Sequence, residues 1–528
     1  MEPGAGWKKT LLFWGLLLAV PVLVLYLLLP PLWRQLADTL RPELVAWVAT
    51  HLPAGERERI RSSVASIATG WFRVVPDPAV GRIARSGVQV VEKEALVVTN
   101  NAGLRSSRPY GPKPADVFRI VCLGDSFVFG TGGPEQDRFC QQIEDFYREQ
   151  QVTVGSRRIE ALAVGLPSWT MRQEASYLAA RIDDYAPDVI IMTSCQNDIT
   201  DSSGVTEDGS LTSAWASDRR EVGSGVFSNT AGLPFGGGLY SALTTDLCPT
   251  CRAYWRQGFE PVGRLGELQR ARGGHLLLSA IELPARHAGF FMQLFQQHAA
   301  SSGAPYLLTG YLAGKDTRLP HDGHPSRAGH WLLAVHYIRT LAELGWVPLA
   351  PAQWPDDPRR HPGGLNPPVD AAVLAAEQQR FISEHLRPAI DFRQLDTEQL
   401  PALLGGIFPE TEGQLPAGQA PWASVRAGFL LQKPDGDRDA TLTLDLQLPA
   451  RAALYPLPLA ISVNGQRLAE PVIAADRAGQ AERLQLVVPQ TLLAQYPAVE
   501  VLLETPRHFA GFEDQRMKSY ALQAAAIE

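Results

Sequence analysis

Cysteine is scarce in this chain, with five in 528 residues, so a scaffold built on disulfides is not expected. An excess of positive charge is also missing. The formal net charge is −7, which leaves no dominant basic field to attract a phosphate backbone, and nucleic acid is not an expected partner. Aromatic residues make up 8% and charged residues 20%, against 45% hydrophobic, a balance that allows a sizeable core without metals or cross-links. The length suggests roughly three domains.

Long uncharged apolar runs are absent except for one, Thr10 to Trp33. It is long enough to cross a hydrocarbon core of about 30 Å, although Pro21 would kink it. Lys8 and Lys9 precede it and place the N-terminus in the cytoplasm. The run is too long for an ordinary signal-peptide core, and no small-residue cleavage site follows directly. Residues 1–34 are therefore expected to be a cytoplasmic N-terminus and one membrane-spanning helix. Everything after them would lie outside the cytoplasm, and residues 35–94 would form a juxtamembrane lead-in.

From residue 95 to 350 the pattern is α/β. Apolar runs of strand length (Val117 to Leu123, Arg158 to Val164, Asp188 to Thr193, His275 to Ile281, Tyr306 to Leu312) alternate with helical segments near Glu135 to Gln150, Met171 to Tyr185 and Ala328 to Trp346. That alternation predicts a parallel sheet covered by helices on both faces. A stretch of about 200–260 that starts rich in Ser, Gly, Thr and Asp interrupts it and reads as an insertion. Residues 351–420 hold many prolines around one helical stretch, Val369 to Leu386, and read as a linker. From 421 to 528 strict alternation at Thr441 to Leu448 and an Asn464-Gly465 turn between strand-like runs predict a β-sandwich.

The chemistry concentrates in four places. Gly124-Asp125-Ser126 follows the first strand, where open α/β sheets bind ligands. Gly165 ends a second segment, and Gln196-Asn197-Asp198 follows the third strand. His321-Asp322-Gly323-His324 precedes the last helix. A serine needs a base to become a nucleophile, and His324 can supply it. Asp322, two residues earlier, can fix the imidazole tautomer. The amides of Ser126 and Gly165 and the side chain of Asn197 are candidate donors to an oxyanion. His321, Asp322, His324 and His330 could instead bind a metal, but that would leave the serine and asparagine segments unexplained. His330 more simply packs or caps the last helix. Cys248-Pro249-Thr250-Cys251 fits a local disulfide, a redox pair or half of a zinc site. Outside the cytoplasm the disulfide is favoured. Cys122 and Cys195 read as small buried hydrophobes, and Arg105 as a structural or exposed arginine.

In this order the four segments resemble the blocks of the SGNH/GDSL hydrolase superfamily. Asn101-Ala102-Gly103-Leu104-Arg105 and Asp322-Gly323-His324-Pro325 are similar to segments of its membrane-anchored bacterial members. The resemblance implies a flavodoxin-like α/β fold, no cofactor and no metal. It also implies acyl transfer through a serine ester, with Ser126, His324 and Asp322 catalytic and Gly165 and Asn197 in the oxyanion hole. There are departures. Ala163 stands where the family often has Asn, Cys195 where it often has Gly, and His321 where its acid usually lies. The overall plan resembles the alginate O-acetyltransferases, which join an SGNH-like domain to a carbohydrate-binding β-sandwich. The expectations are then a single-pass protein of the inner membrane with a periplasmic catalytic domain. Its expected substrate is an acylated envelope carbohydrate. It is either an esterase or, with a multi-span membrane acyltransferase as donor partner, an O-acetyltransferase. A third reading is a non-catalytic scaffold that binds glycan or protein.

Overall fold

The structure is a computed structural model. It describes residues 72–528 apart from 75–79, 81, 94, 168, 196–203, 206–210, 213–246, 282–295, 297–302, 310–315, 321–322, 356–363, 367–370, 396–397, 400–401, 409–419 and 508–518. The apolar run Thr10 to Trp33 lies outside these residues. Among the described residues no helix is long and apolar enough to cross a membrane.

A lead-in hairpin, β1 (Gln89–Glu92) and β2 (Ala95–Val98), precedes the sheet. The sheet's parallel strands are β3 (Val117–Gly124), β4 (Arg157–Gly165), β5 (Val189–Ser194), β6 (His275–Ala280) and β7 (Tyr306–Leu308). They lie side by side in the order β4-β3-β5-β6-β7, all parallel. Short antiparallel strands close both edges, Thr153–Val154 beside β4 and Gly364–Leu365 beside β7. This is the expected flavodoxin-like order, in which the chain turns to one side of β3 for β4 and to the other for β5. The reversal opens a crevice at the carboxyl ends of β3 and β5.

β3 is buried along its whole length, as a strand covered on both faces must be, hence its unbroken apolar run. Its successive side chains serve opposite faces. Ile120 and Cys122 pack with α2 (Phe139–Glu149) and the C-terminal helix of the domain, Arg327–Glu343. Val121 and Leu123 belong to the opposite core with α3 (Met171–Ala179). On that side α3 packs against α4 (Pro249–Ala271), and Arg327–Glu343 is α5. A four-residue helix, α1 (Ser126–Phe129), starts directly after β3.

Several boundaries differ from the sequence reading. The segment Met171 to Tyr185 is two helices, α3 and Ile182–Tyr185, because the chain turns at Ala180 and Arg181. The 23-residue helix α4 takes in residues 249–260, which composition alone had joined to the insertion. Most of residues 200–246 lies outside the described residues.

The linker helix falls at Ala371–His385, as the pattern predicts. The segments around it are not independent of the strands after residue 420. Ala389–Asp391 pairs with Tyr520–Ile527, and Leu403–Phe408 pairs with Trp422–Gln432, so the C-terminal unit draws strands from residues read as linker. Apart from the separate pair Leu457–Pro458 and Val472–Ile473, its described strands form one continuous antiparallel network. At its centre, Trp422–Gln432 pairs along one side with Leu403–Phe408; along the other, Arg426 to Gln432 pair with Ala498–Glu504, and Trp422 and Ala423 pair with Tyr520–Ile527, which continues to Ala440–Gln447. The Asn-Gly hairpin is present. Val463 pairs with Gln466, and Asn464 and Gly465 both have positive φ (47° and 78°), as a type I′ turn demands.

Candidate active site

Ser126 is the first residue of α1, at the carboxyl end of the strand beside the crevice. Asp125 is the N-cap, and its carboxylate accepts from the Phe127 amide at 2.9 Å. The same carboxylate accepts from Ser126 Oγ at 3.1 Å and from Cys195 Sγ at 3.3 Å, both on Oδ2. Cys195 reaches it because it follows β5, which lies beside β3. Asp125, Ser126 and Cys195 are all buried. The hydroxyl is thus held on a carboxylate through α1's own N-cap. The helix stops after one turn at Gly130, whose φ of 75° suits glycine, and both Gly130 N and Thr131 N donate to the Ser126 carbonyl.

Gly165 pairs with Gly124 in register. A Cβ at Gly165 would stand 2.8 Å from the Gly124 carbonyl oxygen and 2.9 Å from that of Asp125. Only a glycine lets the backbone of the second block come this close to the nucleophile turn. Gly165→Ala should therefore displace the turn by a few tenths of an ångström or more. A fall in kcat of roughly 10- to 100-fold on an ester substrate, with unchanged far-ultraviolet circular dichroism, is the expected result. Wild-type kcat in that variant would rule out a tight geometric role.

His324 sits in the turn that leads into α5. Its carbonyl accepts from Leu319 N at 2.9 Å, and Arg318 Nη1 donates to the Gly323 carbonyl at 3.0 Å. Ser326 caps α5, accepting from Gly329 N at 3.3 Å and donating to the Asp316 carbonyl. The His324 ring lies 5.5 Å from the ring of Phe127, the residue after the serine. Of the five residues singled out from sequence, Ser126, Gly165 and His324 are thereby gathered at the same end of the sheet. Asn197 and Asp322 lie outside the described residues. Among the described residues no group of His, Cys, Asp or Glu could hold a metal ion.

His330 is 1% exposed in α5, 6.1 Å from the Phe139 ring, and its Nδ1 has no hydrogen-bond partner. Burial first, then the positive charge of Arg138, brings its pKa down to about 3. It is a packed, neutral imidazole. An unfolded chain would protonate it near 6.5, so between pH 6.5 and about 3 the unfolded state binds the extra proton. Its contribution is therefore nil above that window and turns destabilising as pH falls through it, by on the order of 2 kcal/mol at pH 5. His330→Leu should flatten the loss of stability between pH 6.5 and 5, as followed by urea unfolding. An unchanged slope would show that other groups dominate.

Two features of the site were not read from sequence. Cys122 is not an unpaired hydrophobe: it forms a disulfide with Cys140, with the two Cα atoms 6.2 Å apart. The bond ties β3, two residues before Gly124, to the first turn of α2. Cys248 is disulfide-bonded as well. The second is the use of Asp125 and Cys195. The unusual cysteine in the third block was the one available signal. Arg105 is buried and donates to the carbonyls of Phe129, Gly130, Gly133 and Leu96, a structural role at the end of α1.

No protein-family model and no curated protein sequence matches the chain. Solved structures that it resembles include esterases and acylhydrolases. They include TesA, at 15% identity over 43% of this chain and 99% of that one, with a TM-score of 0.28. The esterase EstA from Pseudoalteromonas sp. matches at 14% identity, over 43% and 97%, with a TM-score of 0.27. A two-domain esterase active on acetylated mannans matches at 12% identity, over 78% and 90%, with a TM-score of 0.26. Similarities this low carry no weight for function, and the functional reading rests on the residues themselves.

Proposed function

We propose that the protein is a serine ester hydrolase of the SGNH type, acting on O-acyl groups of a cell-envelope carbohydrate. The observation that carries this is the junction at Ser126. A buried serine opens a helix at the carboxyl end of a parallel strand beside the switch point of the sheet. The backbone of Gly165 is pressed against its turn, and the His324 ring lies next to Phe127.

Ser126 Oγ leaves Asp125, passes its proton to His324 and attacks the ester carbonyl. Asp322 holds the imidazole in the tautomer that accepts that proton and stabilises the cation that forms. Negative charge on the carbonyl oxygen is met by the amides of Ser126 and Gly165 and the side-chain amide of Asn197. His324 then returns the proton to the leaving sugar hydroxyl. Water, activated by the same histidine, releases the acid. If a second sugar hydroxyl replaces water, the same residues perform acyl transfer.

The setting is the extracytoplasmic side of the inner membrane, with Thr10 to Trp33 as anchor. Disulfides at Cys122–Cys140 and at Cys248 fit an oxidising compartment. Purified full-length protein in detergent should release p-nitrophenol from p-nitrophenyl acetate. With acetylated oligosaccharides, mass spectrometry should record loss of acetyl groups from the sugar and free acetate. Acetyl groups moved to an added acceptor sugar, without acetate, would replace hydrolysis by transfer. No turnover in either assay would refute both.

A further inference from the structure

We propose that Cys195 is a positioning residue for the nucleophile, acting on Ser126 through a carboxylate oxygen that the two side chains share. That role presupposes the ester-hydrolase reading. Gly124 and Thr193 are register partners on the neighbouring strands β3 and β5, so Asp125 and Cys195, one and two residues further on, leave the sheet side by side. Thiol and hydroxyl then meet on one atom. Asp125 Oδ2 accepts from Ser126 Oγ at 3.1 Å and from Cys195 Sγ at 3.3 Å. Asp125 Oδ1 is engaged separately, by the Phe127 amide at 2.9 Å.

A carboxylate has no proton to give, so hydroxyl and thiol both donate to it, and they compete. Each donor draws electron density from Oδ2 and weakens the bond made by the other. Asp125, Ser126 and Cys195 are all buried, so water does not level the competition. The Phe127 amide fixes one oxygen of the carboxylate and the thiol helps to fix the other, which sets its plane against the first turn of α1.

Ser126 must give up this bond to react. Its hydroxyl leaves Asp125 before its proton passes to His324, so any tightening of the hold of Oδ2 on Oγ adds to the barrier. The thiol is a weak donor and loosens that hold without ending it. The serine is thereby kept in one rotamer and still released readily. Cys195 acts on the reaction only through Asp125.

Infrared spectroscopy of the S–H stretch in the full-length protein tests the coupling without turnover. Cys195 carries a thiol, and Cys195→Ala identifies its band by removing it. Ser126→Ala takes away the competing donor and should move the band to lower wavenumber, as the thiol binds Asp125 more tightly. Asp125→Asn still caps α1 and should move the band to higher wavenumber. Kinetics with p-nitrophenyl acetate test the consequence, each variant being checked by thermal unfolding. Cys195→Val and Cys195→Ala lack the donor, and in both kcat should fall roughly 3- to 10-fold with KM little changed. Cys195→Ser keeps a donor and should retain most of the wild-type kcat. Packing alone would reverse that order, because valine fills a buried apolar site better than serine does. An S–H band unmoved by Ser126→Ala, or a Cys195→Val protein as active as Cys195→Ser, overturns the positioning role and leaves the ester-hydrolase reading standing. No turnover by the wild type refutes that reading and takes the role with it.

Discussion

Replacing Ser126 by alanine should lower the rate of ester hydrolysis by on the order of 10⁴- to 10⁶-fold, while leaving the fold intact. The size follows from the chemistry. Without the hydroxyl there is no covalent intermediate, and only the oxyanion donors and substrate binding remain to accelerate attack by water. The fold should survive because Ser126 contributes a single side-chain hydrogen bond, to Asp125. The cap of α1 is made by Asp125 itself, which still accepts from the Phe127 amide. His324→Ala should fall in the same range, and Ser126→Ala/His324→Ala should be little worse than either alone, because the two act as one unit. The measurement is kcat/KM with p-nitrophenyl acetate beside a thermal melt. Residual activity of a tenth or more in a folded Ser126→Ala protein would remove Ser126 from the chemistry.

The second large effect concerns stability. Breaking the Cys122–Cys140 bond by Cys122→Ala/Cys140→Ala should cost about 3 kcal/mol. The two cysteines are 18 residues apart, and the bond acts by restricting the unfolded chain. For an α/β unit of this size that is a fall in unfolding midpoint of roughly 6–12 °C. The double variant is the cleaner test than a reductant, because Cys248 is also disulfide-bonded and would be reduced with it. A midpoint unchanged by the double substitution would leave the bond without a stabilising role. Both cysteines are buried, so part of any loss comes from the two small cavities that alanine leaves.

Much of the α/β unit could be read in one dimension because its determinants are local. The run at Val117 to Leu123 is continuous because β3 is covered on both faces, and it became an eight-residue buried strand. The Asn464-Gly465 turn was legible because its two positive φ angles select those residues. Glycine and proline do not report which strands will accept them, and so the edge of the C-terminal unit was misplaced. Leu403–Phe408 and Ala389–Asp391 lie in proline-rich surroundings yet pair with strands more than a dozen residues away. The sandwich reading placed strands at Thr441 to Leu448 and on either side of Asn464-Gly465, where the structure has them. Their linkage into one antiparallel network depends on partners, and side-chain alternation names none.

The same division runs through the site. Sequence by itself determined which residues can do chemistry: a serine after a buried strand, a glycine ending the next, a histidine in the turn before the last helix. Each is marked by its position against a local periodicity. Tertiary structure alone decided what those residues touch. Cys122 and Cys140 meet because α2 packs on the Ile120–Cys122 face of β3. Cys195 reaches Asp125 because the strand order places β5 beside β3. Contacts of this kind arise from packing between segments far apart in the chain, where free energy depends on burial and distance that no local pattern encodes.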